Sequence, residues 1–425
     1  MKYKKLLIFI IFVLIAVIVY VIIYKNENKI NNPINPPSNI DNNINFDYKV
    51  INETNKLVKN QNYLISPLSM GYAISILNEG ASANTKKEIE EVLNDYKLPE
   101  IKNVKDRIGI ANLLFVKNTY KDDISKKYIT NIQNKYSSDL IFDDFVTPEE
   151  ANKWISDKTF KMIQKAIDDL SQDFVLGIAN TIAIDVEWQN KFECYKTKKQ
   201  EFTKIDDTKM NTAYMNGVDD VMYLENENAK GIIKDYKIYD SKTGKVVYEE
   251  NDNIVSLEYI AILPNNDINE YLKTFDQKEL NSLLKSKKSG DQNTEIQYSI
   301  PKYTYDFTYE DFGKMLNNLG IKDAFIKGVA NFNNMIEEKS DLELFVSKSI
   351  HKTHIELSEN GTKAAAVTVL ILDKNSAIME PKNVIKIEFN KPFIYIIKDK
   401  NSDNIWFFGT VYEPIKWEEN KNECN

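Results

Sequence analysis

E-N-G-T-K-A-A-A-V-T-V-L-I-L runs from Glu359 to Leu372, and the charged, turn-prone Asp373-Lys374-Asn375-Ser376 follows it. A glycine near the start interrupts any strand. A hydroxyl, three alanines and a β-branched and aliphatic block then continue with almost no charge. Such a block has high β-propensity and is an aggregation hazard on an exposed loop. It needs a sheet to enter. Successive strand side chains face opposite ways. Thr362, Ala364, Ala366, Thr368, Leu370 and Leu372 share one face, which is uncharged. Lys363, Ala365, Val367, Val369, Ile371 and Asp373 share the other, which carries both charges. The pattern suits a strand buried on one side and wet on the other. Periodicity leaves open whether that strand is an ordinary permanent one or forms later.

The chain around it has a globular balance: 425 residues, 43% hydrophobic and 28% charged, with net charge −8. Length allows several domains or one large mixed domain. Acids and bases are interspersed, and no basic stripe with interleaved aromatics argues for nucleic acid. The two cysteines, Cys194 and Cys424, have a spacing that supports neither a disulfide nor a metal site, although a disulfide stays open. An enzyme is disfavoured. The two histidines, His351 and His354, sit three apart on a predicted strand and face opposite sides. No G-x-S-x-G, H-E-x-x-H or G-x-x-x-x-G-K-[ST] occurs.

Lys2, Lys4 and Lys5 precede an apolar run from Leu6 to Tyr24, closed by Lys25. At about 1.5 Å per residue the run is roughly 28 Å long, close to a bilayer core. No small-x-small cleavage pattern follows it, so residues 1–25 read as an uncleaved signal anchor, with a cleaved signal peptide as the alternative. The lysines ahead of the run place the N-terminus in the cytoplasm and the rest outside. Residues 26–45 are Asn- and Pro-rich and read as a spacer. Residues 46–417 are globular in composition, and 418–425 form a polar tail.

Within 46–417 the pattern predicts helices over Asp47–Lys59, from Pro67 through Leu77, from an Asn84-Thr85 cap to Leu93, over Asp122–Tyr136 and over Pro148–Ile167. Strands are predicted over Phe174–Val186, Val255–Leu263, Ile296–Phe307, Leu344–Leu357, Val384–Phe389, Phe393–Ile397 and Ile405–Tyr412. Helices early and strands late argue for an α+β fold.

Taken in order, these segments resemble the serpin family from about Phe46 to Pro414. Y-L-I-S-P-L-S-M at Tyr63–Met70 and N-E-G-A-S-A-N-T at Asn78–Thr85 match the second helix and the turn after it. I-A-N-L-L-F-V at Ile110–Val116 and A-N-T-I-A-I-D-V-E-W at Ala179–Trp188 match two inner strands. A-I-L-P at Ala261, I-P-K-Y at Ile300, L-G-I-K-D-A-F at Leu319, V-S-K-S-I-H-K-T-H-I-E-L at Val346, F-N-K-P-F at Phe389 and F-F-G-T-V-Y-E-P at Phe407 follow as the family requires. Each motif alone is weak; the ordered set is specific.

The resemblance implies one α+β domain with three β-sheets, eight or nine helices and an exposed reactive-centre loop. It implies an irreversible suicide-substrate inhibitor: a protease attacks the loop and is caught as an acyl-enzyme, and the severed loop enters the main sheet. The alternative is a non-inhibitory serpin-fold binding protein. Glu359, Gly361, Thr362, Ala364, Ala365 and Ala366 match the hinge of the loop. A charge on its inward face would stall insertion, because burying it unpaired is costly; Thr362 stands there, and Lys363, where the family is usually acidic, faces outward. Ser66, Ser69, Asn112, Asn180 and His351 match the polar cluster beneath the main sheet, and Trp188 the aromatic where the loop first enters. For both, simple core packing is the competing reading. The family spacing from Glu359 puts the reactive bond at Asn375–Ser376, which suits an asparagine-specific cysteine protease. A one-residue shift puts it at Lys374–Asn375, which suits a trypsin-like serine protease, and a cut after Asp373 or no productive site stays open. No cofactor is implied. The short stretch between Leu93 and Ile110 implies that the family's fourth helix is missing or vestigial, and no heparin-like activator is expected. Residues 237–253 are an insertion and read as an exposed hairpin around Thr243-Gly244.

Overall fold

Ser66 ends one strand and starts a helix: its side chain accepts the Ser69 N–H, and Pro67 holds the first helical position, where a missing N–H costs nothing. The computed structural model describes residues 44–100, 102–171, 173–248, 252–310, 312–362 and 383–417. Eight α-helices occur among them: α1 (Ile44–Leu57), α2 (Pro67–Gly80), α3 (Ala83–Leu93), α4 (Lys126–Tyr136), α5 (Glu149–Lys158), α6 (Ile268–Thr274), α7 (Gln277–Lys285) and α8 (Phe312–Leu319). The strands are β1 (Tyr63–Ile65), β2 (Ile108–Lys117), β3 (Ser138–Asp143), β4 (Leu176–Ile184), β5 (Val186–Glu187), β6 (Lys198–Thr203), β7 (Lys209–Val218), β8 (Met222–Glu225), β9 (Ala229–Asp235), β10 (Ile238–Asp240), β11 (Val246–Val247), β12 (Ile254–Val255), β13 (Leu257–Pro264), β14 (Thr294–Pro301), β15 (Tyr303–Tyr309), β16 (His351–Leu357), β17 (Gly361–Thr362), β18 (Asn383–Glu388), β19 (Phe393–Asp399) and β20 (Ile405–Val411).

The central layer is a six-stranded sheet in the order β1-β20-β19-β13-β9-β8. Its middle strands read as near-continuous apolar runs because both faces are covered; β20 is buried at every residue. Glu258 and Lys398 lie opposite each other on β13 and β19 and pair inside this layer at 3.5 Å. A four-stranded sheet, β18-β14-β7-β6, sits apart from it. The main sheet comes in two pieces, β3-β2-β4 and β15-β16-β17-β5. α5 packs on the first piece through Ala151 and Ile155, against Leu113 and Phe115 of β2.

Several expected boundaries move. α3 begins at Ala83 rather than behind an Asn84-Thr85 cap, and Thr85 is used to accept the Asn331 N–H instead. α4 starts late, at Lys126, where Ser125 caps it. α5 stops at Lys158 instead of running to Ile167. Phe160 and Lys161 take positive φ, and the buried Asn152 accepts the Ala166 and Ile167 N–H groups, so the chain folds back under a side-chain clamp. The long strand over Ile296–Phe307 is two strands in different sheets. They part at Lys302, whose N–H bonds to Ala213 after Pro301, which has none to offer. Residues 344–350 are not strand: the ladder with β15 ends at the Tyr309–His351 pair, and among the described residues no neighbour continues it. Among the described residues no helix lies between Leu93 and Ile108.

The insertion is the hairpin expected. β10 pairs with both β11 and β12, and Asp240 caps the turn through the N–H groups of Lys242 and Thr243, with Gly244 at φ +69°. Cys194 is disulfide-bonded, which the spacing of the cysteines did not support. No described helix is long and apolar enough to cross a membrane. The expected anchor, the spacer as far as residue 43 and the tail at 418–425 lie outside the described residues; the last two spacer positions, Ile44 and Asn45, instead open α1.

Candidate functional site: the parted main sheet and its hinge

β4 and β16 should be neighbours in a continuous sheet, yet no ladder joins them among the described residues. Between them runs a slit of about 20 Å³, lined by Ile182, Ala183 and Ile184 on one side and by His354, Ile355 and Glu356 on the other. Thr362 closes its head. There β17 is wedged between the two halves: Thr362 pairs with Leu357 of β16 and with Val186 of β5, and Gly361 with Glu187. Gly361 has to be glycine. Its φ is +158°, and a Cβ would sit 2.0 Å from the Val186 carbonyl oxygen.

The hinge is gripped from several sides. Trp188, buried to 1% exposure, donates its backbone N–H to Asn360 at 2.9 Å and its indole N–H to the Ser358 carbonyl at 3.0 Å. Phe192 N–H bonds the Glu359 carbonyl at 3.0 Å. The Glu359 carboxylate accepts from Thr197 Oγ1 at 2.8 Å and meets Lys302 Nζ at 2.9 Å. Thr362 Oγ1 is 2.5 Å from the Tyr236 hydroxyl, and Tyr236 stacks on Trp188 with centroids 4.4 Å apart. Ala364, Ala365, Ala366 and the reactive bond at Lys374, Asn375 and Ser376 lie outside the described residues.

The polar cluster divides into two groups. Ser66 N–H donates to His351 Nε2 at 3.1 Å, and Ser66 Oγ receives the Ser69 N–H. Burial pushes the His351 imidazole down to about 3, so it is neutral and accepts at Nε2. On the other half of the sheet, Asn180 donates to Asn112 Oδ1 at 2.7 Å, and Asn112 donates to the Tyr136 carbonyl at 2.8 Å. No hydrogen bond links the two groups among the described residues, and Asn180 Oδ1 is buried without a donor. The expected single network is therefore split along the line on which the sheet is parted.

The model of the family described as "Serpin (serine protease inhibitor)" matches residues 41–414. The chain belongs to the serpin family. A serpin-like protein of Methanosarcina acetivorans is 29% identical over 380 residues, covering 84% of this serpin and 82% of that protein. Human neuroserpin is 23% identical, covering 84% and 87%. The native-state crystal structure of the thermophilic serpin tengpin aligns with a TM-score of 0.71 at 29% identity, covering 90% of this serpin and 97% of that chain.

Tyr236, Thr197 and Lys302 belong to this serpin's hinge contacts, and reading the sequence missed their roles. Lys302 stood inside the quoted I-P-K-Y, but nothing local tied it to Glu359. Lys234 was missed entirely. Its ammonium is buried, pairs with Asp220, bonds the Tyr298 hydroxyl at 2.9 Å and lies 4.6–5.7 Å from the ring centroids of Phe192, Tyr298 and Trp188. It braces the tryptophan from behind the hinge. Burial holds its pKa below the usual lysine range.

Proposed function

We propose that this serpin is an irreversible suicide-substrate inhibitor of proteases and not an enzyme. The parted sheet carries the reading: a slit between β4 and β16, with Gly361 and Thr362 already seated at its head. A protease attacks the loop beyond Thr362 and forms an acyl-enzyme. The freed loop then zips into the slit from Gly361 downward, using the unpaired edges of β4 and β16, and drags the protease along before the acyl bond hydrolyses. Ala364 and Ala366 continue the inward face begun by Thr362, and the small side chains of Ala364, Ala365 and Ala366 let the segment pass. The Ser66–His351 and Asn112–Asn180 groups are the fixed banks between which the strand enters. Trp188 and Glu359 set the point where entry begins.

The reactive bond is Asn375–Ser376 or, one residue earlier, Lys374–Asn375. The target is accordingly an asparagine-specific cysteine protease or a trypsin-like serine protease. Residues 1–25 hold the domain at the outer face of a membrane through the 26–45 spacer, or release it if a signal peptidase removes them; the N-terminal residue of the mature protein decides. Incubation with trypsin-like, elastase-like and asparagine-specific proteases tests the mechanism. A denaturation-resistant covalent complex is expected, and the mass of the released C-terminal fragment names the bond. Cleavage by every protease, without complex and without loss of protease activity, overturns it.

A further inference from the structure

Two features of the chain play no part in the inhibitory reading: the short connection after Leu93 and the hairpin insertion at 237–253. The fold brings them together. Glu100 and Lys102 from the connection, and Asp252 and Ile254 from the returning arm of the hairpin, enclose the turn between β19 and β20. The cavity between them has a volume of about 720 Å³, within the roughly 300–1,000 Å³ of small-molecule sites. None of its lining residues comes from a helix among the described residues. Two of its three walls are the places where this sequence departs from the family pattern.

Its floor holds unmet polar groups. Trp406 lines the cavity and is 5% exposed, and its indole N–H is buried without an acceptor. Ser402 lines it too, and its hydroxyl is buried without a partner. A buried donor left unmet costs about 1–3 kcal/mol, so two at one spot call for a ligand or water. Beside them the Asp399 carboxylate accepts the Asn401 N–H at 2.7 Å, and burial raises its pKa. Glu100 and Asp252 add two more carboxylates, and the ammonium groups beside them are already engaged: Lys102 bonds the Asp252 carbonyl, and Lys398 donates to the Asp399 carbonyl at 3.1 Å and pairs with Glu258. Ile254 and the Trp406 ring supply apolar surface.

We propose that this cavity binds a small organic cation with an apolar body, an arylalkylamine in chemical class. Its ammonium lies against Asp399 and the flanking carboxylates, and its acceptor takes the Trp406 N–H. The site is independent of protease inhibition.

Calorimetric titration of the full chain tests this, with tyramine as probe, phenethylamine as the analogue lacking the acceptor and 4-hydroxyphenylacetate as the anion of like shape. Tyramine is expected to bind with Kd of about 1 mM or tighter, phenethylamine about fivefold more weakly, and the anion not at all. Asp399→Asn should weaken tyramine about tenfold. Trp406→Phe keeps the ring and loses the N–H, and should abolish the preference for tyramine over phenethylamine. Glu100→Gln, at an exposed site, should weaken both amines equally if either buried variant fails to fold. The proposal is overturned if neither amine binds at ten times the expected Kd, if the anion binds as well as the amines, or if the folded variants leave affinity unchanged.

Discussion

Gly361 and His351 are single residues on which the parted sheet turns. A methyl group at Gly361 would collide with the Val186 carbonyl, so Gly361→Ala should lift the hinge from its seat. Strain of about 1–3 kcal/mol corresponds to amide exchange faster by roughly fivefold to 150-fold at Trp188 and Phe192, whose N–H groups bond the hinge. Unchanged protection at both amides would show that the hinge tolerates the methyl. His351 makes stability pH-dependent. Its folded pKa of about 3 lies below the ordinary 6.5. The unfolded chain therefore binds more protons between those values, and stability falls as pH drops through them. Asp47 acts in the opposite sense: burial raises it from 3.8 to about 7, so the folded state binds more protons there and gains stability as pH falls. Comparison with His351→Gln isolates the histidine. From pH 7.5 to about pH 5 the unmodified protein should lose about 1–2 kcal/mol relative to the variant in urea unfolding. Serine, asparagine and histidine in family motifs made this cluster legible in the sequence. The caged Lys234 was not, because its partners Asp220, Tyr298 and Trp188 are distant in the chain.

At the scale of the element, β17 is two residues long and owes its existence to its neighbours. Its alternation with the residues beyond was legible; its place between β16 and β5 was not. Thr362 is 3% exposed and bonded to Tyr236. Arginine there would have to bury an unpaired charge or leave the slit. Thr362→Arg should therefore turn the inhibitor into a substrate: the loop is still cut, but the number of inhibitor molecules consumed per protease rises severalfold. An unchanged stoichiometry would count against insertion. The same dependence on neighbours explains the misplaced boundaries. Residues 344–350 begin with the strand-prone Leu344-Phe345-Val346 but join no ladder among the described residues, and Ile296–Phe307 is strand over most of its length yet serves two sheets.

At the scale of the whole molecule, the described strands leave one position unfilled between β4 and β16, and the sequence beyond Thr362 offers a β-prone segment for it. Filling the slit adds backbone hydrogen bonds to two open edges and buries aliphatic side chains, so the cleaved protein should be the more stable form. Cutting between Asp373 and Ser376 without trapping a protease should raise Tm on the order of 10 °C or more. Equal melting of cut and uncut protein would mean the loop does not enter.

The sequence by itself determined the family and the α+β class, because these are local patterns in a specific order, and the same patterns propose the hinge and its uncharged face. It also marked the hairpin insertion and the shortened connection as departures. Only the tertiary structure decided that the main sheet is parted, that Gly361 and Thr362 already occupy the head of the gap, and that the two departures enclose one cavity. Those facts depend on residues more than a hundred positions apart: Val186 pairs with Thr362, and Glu100 and Trp406 line one cavity. Local propensity carries no information about which distant edge is left open.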